Sequence, residues 1–183
     1  MTEKNLKPRV IMETELGKIV FKIDLENAPV TARNFLRYVD EDRFQGTSFY
    51  RVVRQDNQAE NDIKIEVIQG GYGTDDNPLQ LQPIAHESTA VTGILHENGT
   101  LSMARAEIGT ASSEFFICIG AQHELDYMGK RNPDGYGFAA FGHVVKGMHV
   151  VKKIQQQAAD GQMLKQPVKI LSVKRRGFLK RLF

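Results

Sequence analysis

From Arg9 onward the chain is built of short apolar runs broken by turn residues. Val10-Ile11-Met12 and Ile19-Val20-Phe21-Lys22-Ile23 flank Glu15-Leu16-Gly17, a pattern that predicts strand, glycine turn, strand. At Asn27 the period changes. Val30, Asn34 or Phe35, and Tyr38 or Val39 recur at helical spacing behind Pro29, a residue suited to a first helical turn. Further strands are predicted over residues 48–53, 63–70, 99–104, 114–120 and 137–145. Residues 148–154 return to helical spacing, and 168–173 read as a closing strand. The stretches 71–98 and 122–136, rich in Gly, Asn, Asp and Thr, read as loops. Many short strands with two helices predict a mainly β fold, a closed or nearly closed antiparallel barrel whose ends the helices could cap.

Composition narrows the function classes. A length of 183 residues, 41% hydrophobic and 25% charged, supports one real core and excludes a disordered or fibrous chain. One domain is expected over 9–174, with a polar leader at 1–8 and a basic, apolar tail at 175–183. Lys and Arg number 24 against 22 Asp and Glu, so the strongly basic face of a nucleic-acid binder is not indicated. Cys118 is the lone cysteine, which excludes an intrachain disulfide framework; inside Phe-Phe-Ile-Cys-Ile it reads as an inert core residue. The leader lacks the apolar stretch of a secretory signal, so a cytoplasmic location is expected. His86-Glu87 and His96-Glu97 do not extend to HExxH, and Gly70-Gly71-Tyr72-Gly73 lacks the residues of a phosphate loop. Neither a metal nor a cofactor is expected. The tail reads first as a frayed solubilising end. Its alternative is an amphipathic hook for an anionic membrane surface or a partner protein.

A family pattern runs through nearly the whole chain, from about Val10 to Val173. Phe49-Tyr50-Arg51-Val52-Val53, Ile68-Gln69-Gly70-Gly71 and Leu101-Ser102-Met103-Ala104-Arg105-Ala106 resemble successive cyclophilin motifs. Ser113-Glu114-Phe115-Phe116-Ile117-Cys118, Glu124-Leu125-Asp126 and the segment from Phe138 to Met148 continue the series in order, and Ala28-Pro29-Val30-Thr31 with Asn34-Phe35 resembles the first helix. Each motif alone is weak; the ordered set is specific. Gly137-Phe138-Ala139-Ala140-Phe141-Gly142 resembles the bacterial branch. The resemblance implies an eight-stranded barrel capped by two helices, peptidyl-prolyl cis–trans isomerase activity on Xaa-Pro bonds of extended or unfolded segments, and a monomer without cofactor.

The chemistry of such an activity asks for little machinery. A peptide bond resists rotation through its partial double-bond character, with a barrier of ~18–20 kcal/mol. No nucleophile is needed, only a clamp on the proline ring and a donor that favours the twisted amide, whose nitrogen gains a lone pair as resonance breaks. The resemblance makes Arg51 the catalytic candidate; outside the motif set it would read as a solvated strand arginine. Gln69 would orient the guanidinium or bind peptide backbone. Phe116 would floor the proline pocket while Phe115, its neighbour on the strand, turns to the core. Val67 and Leu125 would be pocket walls, Ala104 and Arg105 would bind the residues preceding proline, and Phe138 would supply the aromatic of the bacterial branch.

The chain also departs from the pattern. The family's arginine segment reads Phe-His-Arg, two aliphatics, Pro-Gly-Phe-Met, one residue, Gln-Gly-Gly. Here a polar stretch, 54–62, stands where a tight turn would be, and Glu66-Val67 replaces the Phe-Met pair. Alternation still puts Ile63, Ile65, Val67 and Gln69 on one face, so Val67 replaces part of the wall and a shallower pocket is expected. Glu114 and Glu124 stand where the family usually has Gln and often has Trp. Together with Asp56, Glu60 and Asp62 of a solvent-facing insertion, they lead to an expectation of negative charge beside the groove, favouring peptides with Lys or Arg near proline. Weak cyclosporin binding is expected for the same reasons, and reduced activity is left open. The alternative function is a proline-peptide binding module of low turnover in the same groove.

Overall fold

A computed structural model describes residues 7–73 and 77–176. Most of the expected leader and tail, 1–6 and 177–183, therefore lie outside the described residues. In chain order the elements are β1 (Arg9–Thr14), β2 (Gly17–Ile23), α1 (Pro29–Asp40), β3 (Ser48–Val53), β4 (Val67–Gly71) and a single turn, α2 (Thr89–Thr92). There follow β5 (Thr100–Met103), β6 (Phe115–Cys118), β7 (Ala139–Lys146), α3 (Met148–Gln155), β8 (Ala159–Asp160) and β9 (Met163–Arg175). Eight strands pair antiparallel in the order β1-β2-β7-β5-β6-β4-β3-β9, and β9 pairs back onto β1 to close the barrel. The two-residue β8 hangs on the start of β9 outside the ring.

Each expected strand forms, 48–53 with the expected ends and the others with shifted ones. Residues 63–66 are irregular, so β4 begins at Val67. There the chain is leaving an insertion rather than a tight hairpin: Ile65 bonds the Gln58 side chain through both its backbone groups, and the Ile63 carbonyl accepts from Arg131. At the other end of the chain β9 starts at Met163, five residues before the predicted strand, and carries Pro167 within its length. α2 was not predicted from the long loop that contains it. Four residues leave no apolar period to read.

The barrel is filled by aromatic side chains. Phe35 of α1 packs against Phe21, Phe44, Phe115 and Phe141 with ring centroids 5.1–6.5 Å apart. Phe115 adds Phe44 and Phe49 at 5.3 and 5.7 Å. α1 lies against β7 and β9, α3 against β2, β3 and β4, and both feed this same core, α3 through Val150, Val151 and Ile154. A second, smaller apolar cluster lies on the outer face of the β3-β4-β6 wall: Val53, Ile65, Val67, Phe116, Cys118 and Leu125. Alternation along β6 divides the two, Phe115 and Ile117 inward, Phe116 and Cys118 outward. Burial pushes the Cys118 thiol well above its ordinary value, in keeping with an inert side chain.

Truncation of neighbouring phenylalanines should therefore have different costs. Phe115→Ala empties the centre of the aromatic core and is expected to lose about 3–5 kcal/mol in chemical denaturation. Phe116→Ala should lose less, because that ring already borders an open groove.

Candidate active site

A β-bulge sets up the site. Phe49 pairs with Gly70 and Arg51 with Gln69, so Tyr50 is the extra residue of β3. Strict alternation would put Phe49 and Arg51 on one face. With the bulge, Phe49 enters the core and Arg51 turns out into the groove. Gly70 and Gly71 make room opposite. A Cβ on Gly70 would lie 2.9 Å from the Phe49 ring, and one on Gly71, at φ +139°, would lie 2.5 Å from the Glu114 carboxylate.

Register then lays the site residues side by side. Arg51 faces Gln69, Gln69 faces Phe116, and Phe116 faces Ser102 across β3, β4, β6 and β5. Of these, Arg51, Gln69 and Phe116 bound a groove of about 800 Å³, within the range of ligand pockets. All eight residues singled out by sequence line it: Arg51, Val67, Gln69 and Phe116 from the row and its wall, with Ala104, Arg105, Leu125 and Phe138 from the adjoining loops.

The Arg51 guanidinium is fixed. Its Nε and Nη2 donate to Gln162 Oε1 at 3.0 and 2.6 Å, and Nη1 donates to Gln69 Oε1 at 2.7 Å. Three of five N–H donors are used, which leaves two for a ligand. Gln69 Nε2 donates in turn to the Tyr50 hydroxyl at 2.8 Å, and that hydroxyl donates to Glu114. Burial pulls the guanidinium below its ordinary value, and burial together with the Glu114 carboxylate pushes the Tyr50 phenol up. Gln162 has no sequence signal. It lies on the β8–β9 turn, 111 residues from Arg51, and reaches it only because that turn folds over β3, where its carbonyl also accepts from the Val52 N–H.

The groove's electrostatics reverse the expectation of a negative rim. Glu114 lines the groove, but its carboxylate is occupied by Tyr50, the Ser113 hydroxyl and the backbone N–H groups of Tyr72 and Gly73. Glu124 accepts from the Lys130 N–H and is not a lining residue. The insertion does lengthen the β3–β4 hairpin, yet none of residues 54–62 lines the groove. Asp56 is paired with Arg54, and Gln58, only 2% exposed, anchors the loop to the Arg54 and Ile65 backbone. What enters the groove is positive: Arg51, Arg105 and Arg131. The Arg105 guanidinium is locked two-pronged onto Asp134, donates to the Gly137 carbonyl, and stands 5.3 Å over the Phe138 ring. Its side chain thus clamps the loop carrying Phe138. The wall follows the alternation expected for Ile65, Val67 and Gln69. Glu66 turns away toward Gln155, while Ile65 and Val67, 7% and 3% exposed, supply the apolar surface.

Behind Phe116 lies a polar support that motif reading did not single out. His96 stacks on the Phe116 ring, its Nδ1 is 2.7 Å from Asp126 Oδ1, and its Nε2 is 2.9 Å from the Ser102 hydroxyl. Ser102, His96 and Asp126 have the order of a hydrolytic triad, but Ser102 and His96 are wholly buried and serve as scaffold. Burial alone would raise the Asp126 carboxyl; hydrogen bonds from His96 and His123 outweigh it and hold the group below its ordinary value. Asp126→Asn should cost roughly 1–3 kcal/mol at neutral pH by leaving His96 poorly paired. A carboxyl depressed in the folded state stabilises above its unfolded value of about 3.9 and stops doing so as pH falls through its folded value. In urea titrations the gap between variant and wild type should therefore close below about pH 4.

Comparison with known proteins fits this arrangement. Residues 9–175 match the family model described as cyclophilin type peptidyl-prolyl cis-trans isomerase/CLD. Peptidyl-prolyl cis-trans isomerase A of Dickeya dadantii is 36% identical over 148 residues, 80% of this chain and 70% of that protein. A peptidyl-prolyl cis-trans isomerase of Acinetobacter baylyi is 35% identical over 173 residues, 90% of this chain and 83% of that one. In fold, the chain is similar to a cyclophilin type isomerase of Cryptosporidium parvum crystallised with the dipeptide Ala-Pro, at TM-score 0.74 and 19% identity, covering 93% and 99% of the two chains. The ordered motifs, the closed barrel and the match over almost its full length make this chain a member of the cyclophilin-type peptidyl-prolyl cis–trans isomerase family.

Proposed function

We propose that the groove beside Arg51 is where this isomerase twists Xaa-Pro bonds, in extended or unfolded segments and in support of protein folding. One observation carries the reading: a guanidinium with two unused N–H groups stands on the same cross-strand row as an apolar floor, Phe116. The proline ring fits the surface made by Phe116, Leu125, Ile65 and Val67. Peptide backbone on the side preceding proline would lie along Ala104 and Arg105. The Arg51 donors then meet the prolyl nitrogen as its lone pair develops. They bind the twisted amide more strongly than the planar one, and only such differential binding lowers the barrier. Because Gln69 and Gln162 fix the guanidinium beforehand, little reorganisation accompanies the rotation. No proton transfer and no covalent intermediate are required.

Two finer readings belong here. A bacterial-like branch is supported by the aromatic at Phe138, which stands T-shaped against Phe116 at 5.5 Å. The proline pocket is divergent, with Glu66-Val67 in place of a Phe-Met pair and Ile65 and Val67 forming the wall. This substituted wall is also what favours the second function, a proline-peptide binder of low turnover.

Arg51→Ala should leave the melting temperature nearly unchanged and lower kcat/KM by about 10- to 150-fold, the equivalent of a charge-assisted hydrogen bond worth roughly 1.5–3 kcal/mol. Exchange NMR on a panel of Xaa-Pro peptides reads binding and turnover together; wild-type turnover in the variant would remove Arg51 from the mechanism. Cyclosporin-type macrocycles should bind more weakly than to relatives with Trp at the Glu124 position, as measured by calorimetry. Equal affinity would count against a divergent pocket.

A further inference from the structure

Among the described residues, two guanidiniums in the groove have no acidic partner. Arg37 and Arg43 pair with Glu41, Arg54 with Asp56, Arg105 with Asp134 and Arg175 with Asp40. Arg51 and Arg131 differ: among the described residues all their hydrogen bonds go to neutral amides or carbonyls. Arg131 Nη1 donates to Gln58 Oε1 at 3.0 Å and to the Ile63 carbonyl. Both Nη1 hydrogens are thereby used, while the Nε–H and the two Nη2–H groups remain. That edge is the one suited to two-pronged pairing with a carboxylate.

The two arginines share one partly desolvated cavity in which, among the described residues, the lining carboxylate is Glu114, already taken by four donors of the wall. Burial and the nearby charge of Arg51 both press on the Arg131 guanidinium and pull it below its ordinary value. An arginine does not relieve such pressure by losing its proton. An incoming anion can.

We propose that Arg131 is a specificity-determining residue, its open Nε/Nη2 edge forming a subsite for the carboxylate of a Glu or Asp side chain flanking the substrate proline, while the Arg51 donors stay with the prolyl nitrogen. The insertion acquires a purpose on this view. Gln58 and the Ile63 carbonyl hold one end of the guanidinium, so that its carboxylate-binding edge stays fixed without an acidic partner that would compete with the peptide. The preference is opposite in sign to that expected from the acidic residues of the insertion, which do not reach the groove.

The inference rests on the isomerase reading, and the test separates the two. kcat/KM is measured at low salt for matched Xaa-Pro peptides carrying Glu or Gln at each of two positions on either side of proline. The Glu peptide is expected to lead by about tenfold at one position or more, with the ratio falling as salt rises. Arg131→Gln should bring the ratio to near one, and Arg131→Lys should keep part of it. A wild-type ratio within twofold at every position overturns the subsite, and that result needs no variant to fold. A Glu preference that persists in folded Arg131→Gln overturns it as well. No turnover of the Gln peptides would instead overturn the isomerase reading itself.

Discussion

At Tyr50 the β3–β4 ladder holds one residue more than its partner strand, and the consequences run through the whole wall. Phe49 can fill the barrel because the bulge lets its neighbour two positions on face the other way. Arg51 can meet Gln69 and Gln162 for the same reason. The extra residue is itself employed, its hydroxyl linking Gln69 to Glu114. Core packing and site geometry are thus set by one backbone irregularity. A change that relaxed the bulge would have to give up either an interior aromatic or the groove-facing arginine.

Hydrogen bonding to uncharged partners is the second theme of the site. Two glutamine side chains hold Arg51, where a carboxylate would hold it more tightly but cancel its field. The carboxylate that does line the groove, Glu114, is spent on backbone and hydroxyl donors of the wall. The guanidinium keeps its charge in a medium where charge counts for more than in water. Rigidity and field, which usually trade against each other in an ion pair, are both retained.

Much of this was legible in the sequence because it is local or periodic. The runs around Val10, Phe21 and Phe49 mark strands, and alternation alone separates Phe115 from Phe116. All eight site residues drawn from the motifs border one groove. What escaped depends on contacts between distant segments. Gln162 reaches Arg51 across 111 positions, and Arg131 reaches Gln58 across 73. Counting charges along 54–62 gave the wrong sign for the groove, because a buried Gln58 turns that stretch onto the protein and its acids outward. His96-Glu97 falls short of a metal motif, and only the stacking of His96 on Phe116 and its bond to Asp126 reveal a supporting role.

The barrel's closure has a consequence for how the chain comes to be folded. β9 pairs on one side with β1 and on the other with β3, so a single late segment seals two sheet edges at once. Before it arrives, β1 and β3 each expose a row of unsatisfied amide and carbonyl groups, the kind of template on which chains aggregate. The pairing of β1 with β9 spans nearly the full described sequence, a contact order that slows folding. During synthesis from the amino end the protein must pass through a state with two open edges, and one of the last strands to form decides whether it ends as a closed barrel or adheres to its neighbours.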